Sequence, residues 1–232
     1  MIEVVIAGGG LAGSLAAWRL SATRADVRVR LFERGSTLGG NHTWSFHETD
    51  IPESSSAWIV PLVTARWPSY EVRFPRGTRA LPGGYASISS TRLHAVIAAE
   101  LGPRIRFGAD ISRVEADRLV LGSGEEIRAT IVLDARGDMP VAIPLGWQTF
   151  LGQEIECVRE HGVRVPTIMD ATVAQTNGYR FVYVLPFGPR TLLVEDTCYA
   201  DDPRVDAAVA RQAIERYVAA QGWPPYRVVR EE

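Results

Sequence analysis

Apolar side chains fill positions 2 and 4–7 of the chain with only Glu3 between them, the run of a strand covered on both faces. A glycine cluster follows, and then Leu11, Leu15 and Trp18 recur at helical spacing, which predicts a helix over residues 11–22. Val27, Val29 and Leu31 alternate with Arg28 and Arg30, the period of a half-buried strand over 27–33. The opening third therefore has a strand, helix, strand rhythm. A second helix is predicted over 91–101, with Leu93, Val96, Ile97 and Leu101 turned inward and Ser89 or Ser90 as its cap.

After that helix the apolar runs shorten. Residues 111–115, 118–121 and 127–134 read as a meander of strands ending in the turn Asp134, Ala135, Arg136, Gly137. Two longer strands, 178–186 and 190–197, are separated by a turn built on Pro186, Phe187, Gly188 and Pro189. Asp202 and Pro203 read as the cap and first position of an amphipathic helix reaching about residue 221. The polar stretch 47–57, with Pro52 and three serines, reads as a surface loop.

With 46% hydrophobic and 22% charged residues over 232 positions, the chain can bury a sizeable core, and neither a disordered nor a fibrous chain fits. Its net charge of −2 gives no electrostatic reason to expect a nucleic-acid partner. Every basic residue is arginine. The two cysteines, Cys157 and Cys198, have no neighbours at metal-ligand spacing, so neither a disulfide framework nor a metal site is expected, and a reducing compartment fits. The chain opens on a strand instead of a basic stretch followed by an apolar one, so no cleaved signal is expected. No apolar run approaches a membrane-spanning length, so any membrane contact is expected to be peripheral.

Chemistry enters at the first turn. Gly8, Gly10 and Gly13 lie between strand and helix at the three positions a dinucleotide-binding turn requires: one for the tight turn, one for approach of a pyrophosphate, one for close helix packing. Glu33 ends the second strand, 20 residues after Gly13, where a carboxylate accepts hydrogen bonds from a ribose. A bare glycine triplet also fits a plain turn; here strand, glycines, helix and acid agree. The pair Gly39 and Gly40 then follows Glu33, a pattern that resembles the extended flavin signature of FAD enzymes in the glutathione-reductase structural class. That likeness favours FAD over NAD. Arg92, near the start of the second helix, either reaches a flavin phosphate or is solvated.

Glu195 and Asp196 stand side by side after Leu192, Leu193 and Val194. Strand alternation puts Leu193 and Glu195 on one face and Leu192, Val194 and Asp196 on the other, so one acid at most faces a given cavity. Taken alone, such a pair is most often two solvated carboxylates. Tyr179, Phe181 and Tyr183 share one face of the preceding strand, either as ordinary core or as electron-rich rings lining a cavity. His42 and His47 flank Trp44 and Phe46, either as proton-transfer groups or, as loop histidines usually are, as hydrogen-bonding or solvated residues; His94 and His161 read as structural, and the cysteines as inert.

Several longer segments point further. GGNHTWSF at 39–46, RWPSYEVRFP at 66–75, GGYASISSTRL at 83–93, FLGQE at 150–154, IMDATV at 168–173, GYRFVYVLPF at 178–187 and LLVEDTCY at 192–199 together resemble the bacterial lycopene β-cyclases, over essentially the whole chain. The resemblance implies cyclisation of the linear ends of lycopene to β-ionone rings, giving γ- and β-carotene, by acid catalysis with reduced FAD and no net redox change. NAD(P)H would serve as the reductant. In that family pattern Glu195 holds the place of the acid, with Asp196 beside it; Tyr179, Phe181 and Tyr183 are then the candidate residues for lining the substrate cavity. The implied setting is cytoplasmic, peripheral to the inner face of the membrane, with a linear carotenoid as the partner and neither metal nor nucleic acid.

The implied fold is α/β. A Rossmann-like FAD-binding domain of the glutathione-reductase class (1–46 and 80–140) is interleaved with an antiparallel substrate-side sheet (47–79 and 141–232). Family members are substantially longer, so the substrate-side domain is expected to be incomplete and the isolated chain poorly soluble and inactive on lycopene. Two other readings remain: a flavin-dependent monooxygenase or reductase acting on an isoprenoid, and a non-catalytic dinucleotide-binding fragment.

Overall fold

In the computed structural model of this chain, which describes residues 1–137, 146–176 and 178–232, the N-terminal apolar run forms β1 (Ile2–Ala7). The glycine turn leads into α1 (Leu11–Thr23) and back into β2 (Val27–Phe32), parallel to β1 with Val4 beside Val29. The chain continues through β3 (Thr43–His47), α2 (Glu53–Ile59), β4 (Ala65–Phe74) and β5 (Gly77–Ser89) to α3 (Ser90–Leu101). Short strands follow: β6 (Ile105–Arg106), β7 (Ile111–Glu115), β8 (Arg118–Leu121), β9 (Glu126–Arg128) and β10 (Ile131–Asp134). The last elements are β11 (Trp147–Cys157), β12 (Thr167–Asp170), β13 (Tyr179–Pro186), β14 (Thr191–Ala200), α4 (Ala207–Ala220) and β15 (Tyr226–Glu231).

Contacts divide the described residues into two units. The first comprises 1–44, 56–63 and 88–137; the second comprises 45–55, 64–87 and the described residues from 146 onward. These limits differ from the sequence-based ones. Residues 80–87 belong to the second unit because β5 pairs with β4, Tyr85 beside Trp67. Residues 56–63 belong to the first, where Arg92 Nε donates to the Pro61 carbonyl at 2.8 Å. The expected boundary between 140 and 141 lies outside the described residues.

The first unit carries a parallel sheet in the order β10, β1, β2, β6. A three-stranded antiparallel sheet, β7, β8, β9, packs Leu119, Leu121 and Ile127 against Val5, Ala7 and Phe32. The meander expected over 127–134 is broken. Ala129 N donates to Asp117 O and Thr130 N to Glu3 O, so at this point the backbone leaves one sheet for the other. In α1 the buried positions are Gly13, Ser14 and Ala17, small residues that let the helix lie close to the strand turn. Trp18 instead meets Trp58 edge-on at 5.6 Å. Trp58 and the buried Ile59 also explain why 53–59 is helical where a loop was expected: they give this polar stretch an anchored apolar end.

The second unit is a mixed eight-stranded sheet in the order β15, β11, β14, β13, β12, β4, β5, β3. β12 and β4 are parallel, which corrects the expectation of a purely antiparallel sheet. On one face α4 packs Ala210, Ile214, Tyr217 and Val218 against Val182, Val184, Leu192 and Val194. Tyr217 Oη donates to the buried Asp170 at 2.8 Å, which ties the helix to β12. Asp206, not Asp202, caps α4, its carboxylate accepting from Ala208 N at 3.0 Å and Val209 N at 3.1 Å. The apolar stripe begins only at Ala210, so the helix starts one turn before it. Asp202 pairs with Arg204. On the opposite face Trp67, Tyr85, Leu185 and Leu193 form a second cluster.

Candidate functional site

The first unit builds a cradle at the end of β1. Gly8 adopts φ +98, and a Cβ there would lie 2.7 Å from Ala135 O. At Gly13 a Cβ would lie 2.0 Å from Gly8 O, so helix and turn touch backbone to backbone. Gly10 differs. It sits at the N-cap of α1 with no side-chain cap, and a Cβ there would meet nothing within 4 Å, leaving open space over the helix N-terminus where an anion is favoured. Glu33 Oε2 accepts from Gly9 N at 2.7 Å and Oε1 from Gly35 N at 2.6 Å, which fixes the carboxylate beside the turn. Gly39, at φ +78, donates its N–H to Gly9 O at 2.8 Å and draws the following turn against the first; Gly40 is also left-handed, at φ +60.

Glu33, Arg34, Asp110 and Arg136 line a pocket of about 120 Å³ next to Gly8. Arg136 is held by Asp134 at 2.8 Å, and the same guanidinium keeps the Asp134 carboxyl low. The arrangement fits the adenosine and pyrophosphate parts of a dinucleotide: a helix terminus for phosphate, a carboxylate for ribose hydroxyls, and open space at Gly10. Arg92 is tied to Pro61 and does not line this pocket. Because Gly10 has room, Gly10→Val is expected to fold with the melting temperature of the flavin-free parent and to lose flavin. Bound flavin after desalting, equal in variant and parent, would refute the cradle.

The second unit brings Glu195 to the face of β14 opposite α4, as strand alternation predicts. It is largely buried, and burial pushes its carboxyl up to about 7; Glu232 and Asp196 push the same way, while the Thr197 hydroxyl, donating at 2.5 Å, opposes them. Tyr183 stands opposite Glu195 in the β13 register. Its hydroxyl lies 2.6 Å from that of Tyr85, and burial raises both phenols. The Ser45 hydroxyl lies 2.6 Å from Ser87 Oγ and opposes the rise of both phenols. The His47 ring packs 5.0 Å from those of Tyr70 and Tyr85. A partly buried acid thus faces rings and hydroxyls.

Other expected site residues fall elsewhere. Asp196 lies on the α4 face, where Arg180 Nε donates to it at 2.6 Å; burial pushes its carboxyl up and Arg180 opposes this. Tyr179 is 41% exposed and stacks on Tyr199 at 6.3 Å, while Phe181 is buried beside Tyr199. Of the aromatic stripe, Tyr183 is therefore the member that reaches Glu195. Sequence reading missed Tyr85, Ser45, Thr197 and Glu232. The alternation of Tyr85 with Ser87 and the glycine inside the strand pattern at Gly152 were the available signals.

The lycopene cyclase protein family matches residues 3–232. The chain belongs to the lycopene cyclase family. It is 44% identical to a lycopene beta-cyclase of Pantoea ananas over 231 residues, 99% of this chain and 60% of that one. It is likewise 44% identical to a lycopene beta-cyclase of Pseudescherichia vulneris over 233 residues, 100% of this chain and 60% of that one. This lycopene cyclase family member therefore spans about 60% of the length of these curated relatives. Its fold matches that of a flavin-dependent halogenase from Xanthomonas campestris with a TM-score of 0.70, at 14% identity, covering 100% of this chain and 62% of that one. Among the described residues no helix is long and apolar enough to cross a membrane, and no His, Cys, Asp or Glu group is arranged to hold a metal.

Proposed function

We propose that this protein cyclises the linear ends of lycopene to β-ionone rings by acid catalysis, with Glu195 as the proton donor and FAD held by the first unit. The observation that carries the reading is a glutamate at the family's acid position whose burial raises its carboxyl to about 7, so that it retains a proton where an exposed one would have lost it. Glu195 delivers that proton to a terminal alkene carbon, leaving a tertiary cation. The neighbouring double bond attacks it, one carbon–carbon bond forms, and loss of a proton from the new ring restores neutrality. One proton enters and one leaves. The rings of Tyr183 and Tyr85 supply electron-rich faces for the cation, and their mutual hydrogen bond fixes them. Reduced FAD, when bound, supplies further electron density to stabilise positive charge. Gly10 and the α1 N-terminus would hold its pyrophosphate and Glu33 its ribose.

We extend the proposal to NAD(P)H as the reductant of the flavin. A hydrocarbon substrate partitions into lipid, which supports peripheral contact with a membrane surface, and we place that contact on the inner face as part of the same proposal. The test follows β-ring products from lycopene alongside NAD(P)H in a full-length family member carrying this sequence. A cyclase consumes only enough to prime the flavin, whereas one NAD(P)H oxidised per product would establish the monooxygenase or reductase reading instead.

A further inference from the structure

Gly152 is the place where β11 has no side chain between two acids. In the sheet it stands directly opposite Glu195 of β14. On its other side it exchanges both backbone hydrogen bonds with Glu232, Gly152 N to Glu232 O at 2.9 Å and Glu232 N to Gly152 O at 2.8 Å. Directly opposed residues of antiparallel strands share a face. Glu232, Gly152, Glu195 and Tyr183 thus form one row on the face turned away from α4.

The Glu232 side chain fills the space a residue at 152 would take. A Cβ on Gly152 would lie 3.0 Å from Glu232 Cγ and 3.5 Å from its Oε1. That carboxylate is 2% exposed, and Arg230 Nη1 reaches its Oε2 at 2.7 Å, with Arg230 Nε 3.2 Å from Glu154. The cation is thus on the Glu232 side of the row. Glu195 faces hydroxyls: Thr197 donates to it from its own strand, with Tyr183 opposite on β13 and Tyr85 beyond on β5. Asp196, the remaining acid that acts on Glu195, is on the other face and paired with Arg180.

Resting on the reading of Glu195 as the acid, we propose that Glu232 is a positioning residue: its carboxylate, brought beside Glu195 across the bare Gly152 and balanced by Arg230, keeps the catalytic proton on Glu195. Two carboxyl groups sharing a site do not both ionise easily, and the one that lacks a cation holds the proton. Burial of Glu195 acts in the same direction, so Glu232 adds to desolvation.

Infrared titration of the purified full chain tests this. The Glu195 carboxyl band is isolated as the difference between parent and Glu195→Gln. Glu232→Gln removes the neighbouring charge and keeps its shape, and the band midpoint is expected to fall by about one pH unit. Glu232→Asp keeps the charge and is expected to restore most of it. Gly152→Ala displaces the Glu232 side chain without substituting either acid and is expected to move the midpoint the same way, which covers failure of the first variant to fold. A midpoint unmoved in folded Glu232→Gln or Gly152→Ala overturns the proposal. Near-parental cyclisation by Glu195→Gln would instead overturn the reading of Glu195 as the acid, leaving the measured coupling intact.

Discussion

In a full-length family member carrying this sequence, Glu195→Gln is expected to lower lycopene cyclisation by 10²-fold or more while flavin stays bound, the loss typical of removing a proton donor whose shape is retained. The amide fills the same volume and still accepts from Thr197, but it has no proton to give. The pH dependence has a definite sign. The reactive form of Glu195 is the neutral one, so kcat/KM holds below a pH of about 7 and declines above it. Stability follows the same group. Between its ordinary value of 4.5 and about 7 the folded chain holds a proton that the unfolded chain has released. That raised value favours the folded state at low pH, and the benefit is lost as pH rises across the window, by about 3 kcal/mol.

Denaturant midpoints of parent and Glu195→Gln at pH 5 and pH 8 isolate this term, because other titrating groups are common to both. The parent is expected to lose more stability between the two than the variant. Asp196→Asn is expected to leave the proton transfer in place and to cost stability, since it weakens a half-buried pair with Arg180. Near-parental turnover by Glu195→Gln would send the search for the acid to Asp196 and His42.

Gly13→Ala is expected to destabilise the chain by about 3 kcal/mol or more, at or beyond the upper end of overpacking costs, with flavin binding lost along with the fold. Its Cβ would lie 2.0 Å from the Gly8 carbonyl oxygen, a backbone atom of a residue anchored through its N–H to Phe32 O at 2.8 Å. Against a total stability of about 5–15 kcal/mol, that is a large share. The contrast with Gly10→Val is the point of the experiment. Both glycines belong to one motif, yet one is required by packing within the protein and the other by space for a ligand. Unfolding curves and flavin content measured on the two variants separate these roles. A Gly13→Ala chain as stable as its parent would show that helix and turn do not lie as close as the fold has them.

What the sequence determined by itself is local. The glycine turn between β1 and α1, the Glu33 position, a serine cap for α3 at 89 or 90 and the face on which Glu195 lies all follow from spacing within a few residues, because helix and strand periods fix them without reference to distant chain. The LLVEDTCY segment also carried the family resemblance. The cap of α4 escaped because Asp202 and Asp206 are equally good caps by type, and the choice fell to where the apolar stripe meets the sheet. What only the tertiary structure decided is the company Glu195 keeps. Tyr85 comes from more than a hundred residues upstream, Gly152 and Glu232 from strands on its other side, and Asp196, its immediate neighbour in sequence, is turned to the opposite face. Strand order and register set these meetings, and the energies that select them, apolar burial against α4 on one face and the Trp67 cluster on the other, come from surfaces that exist only once the sheet has assembled.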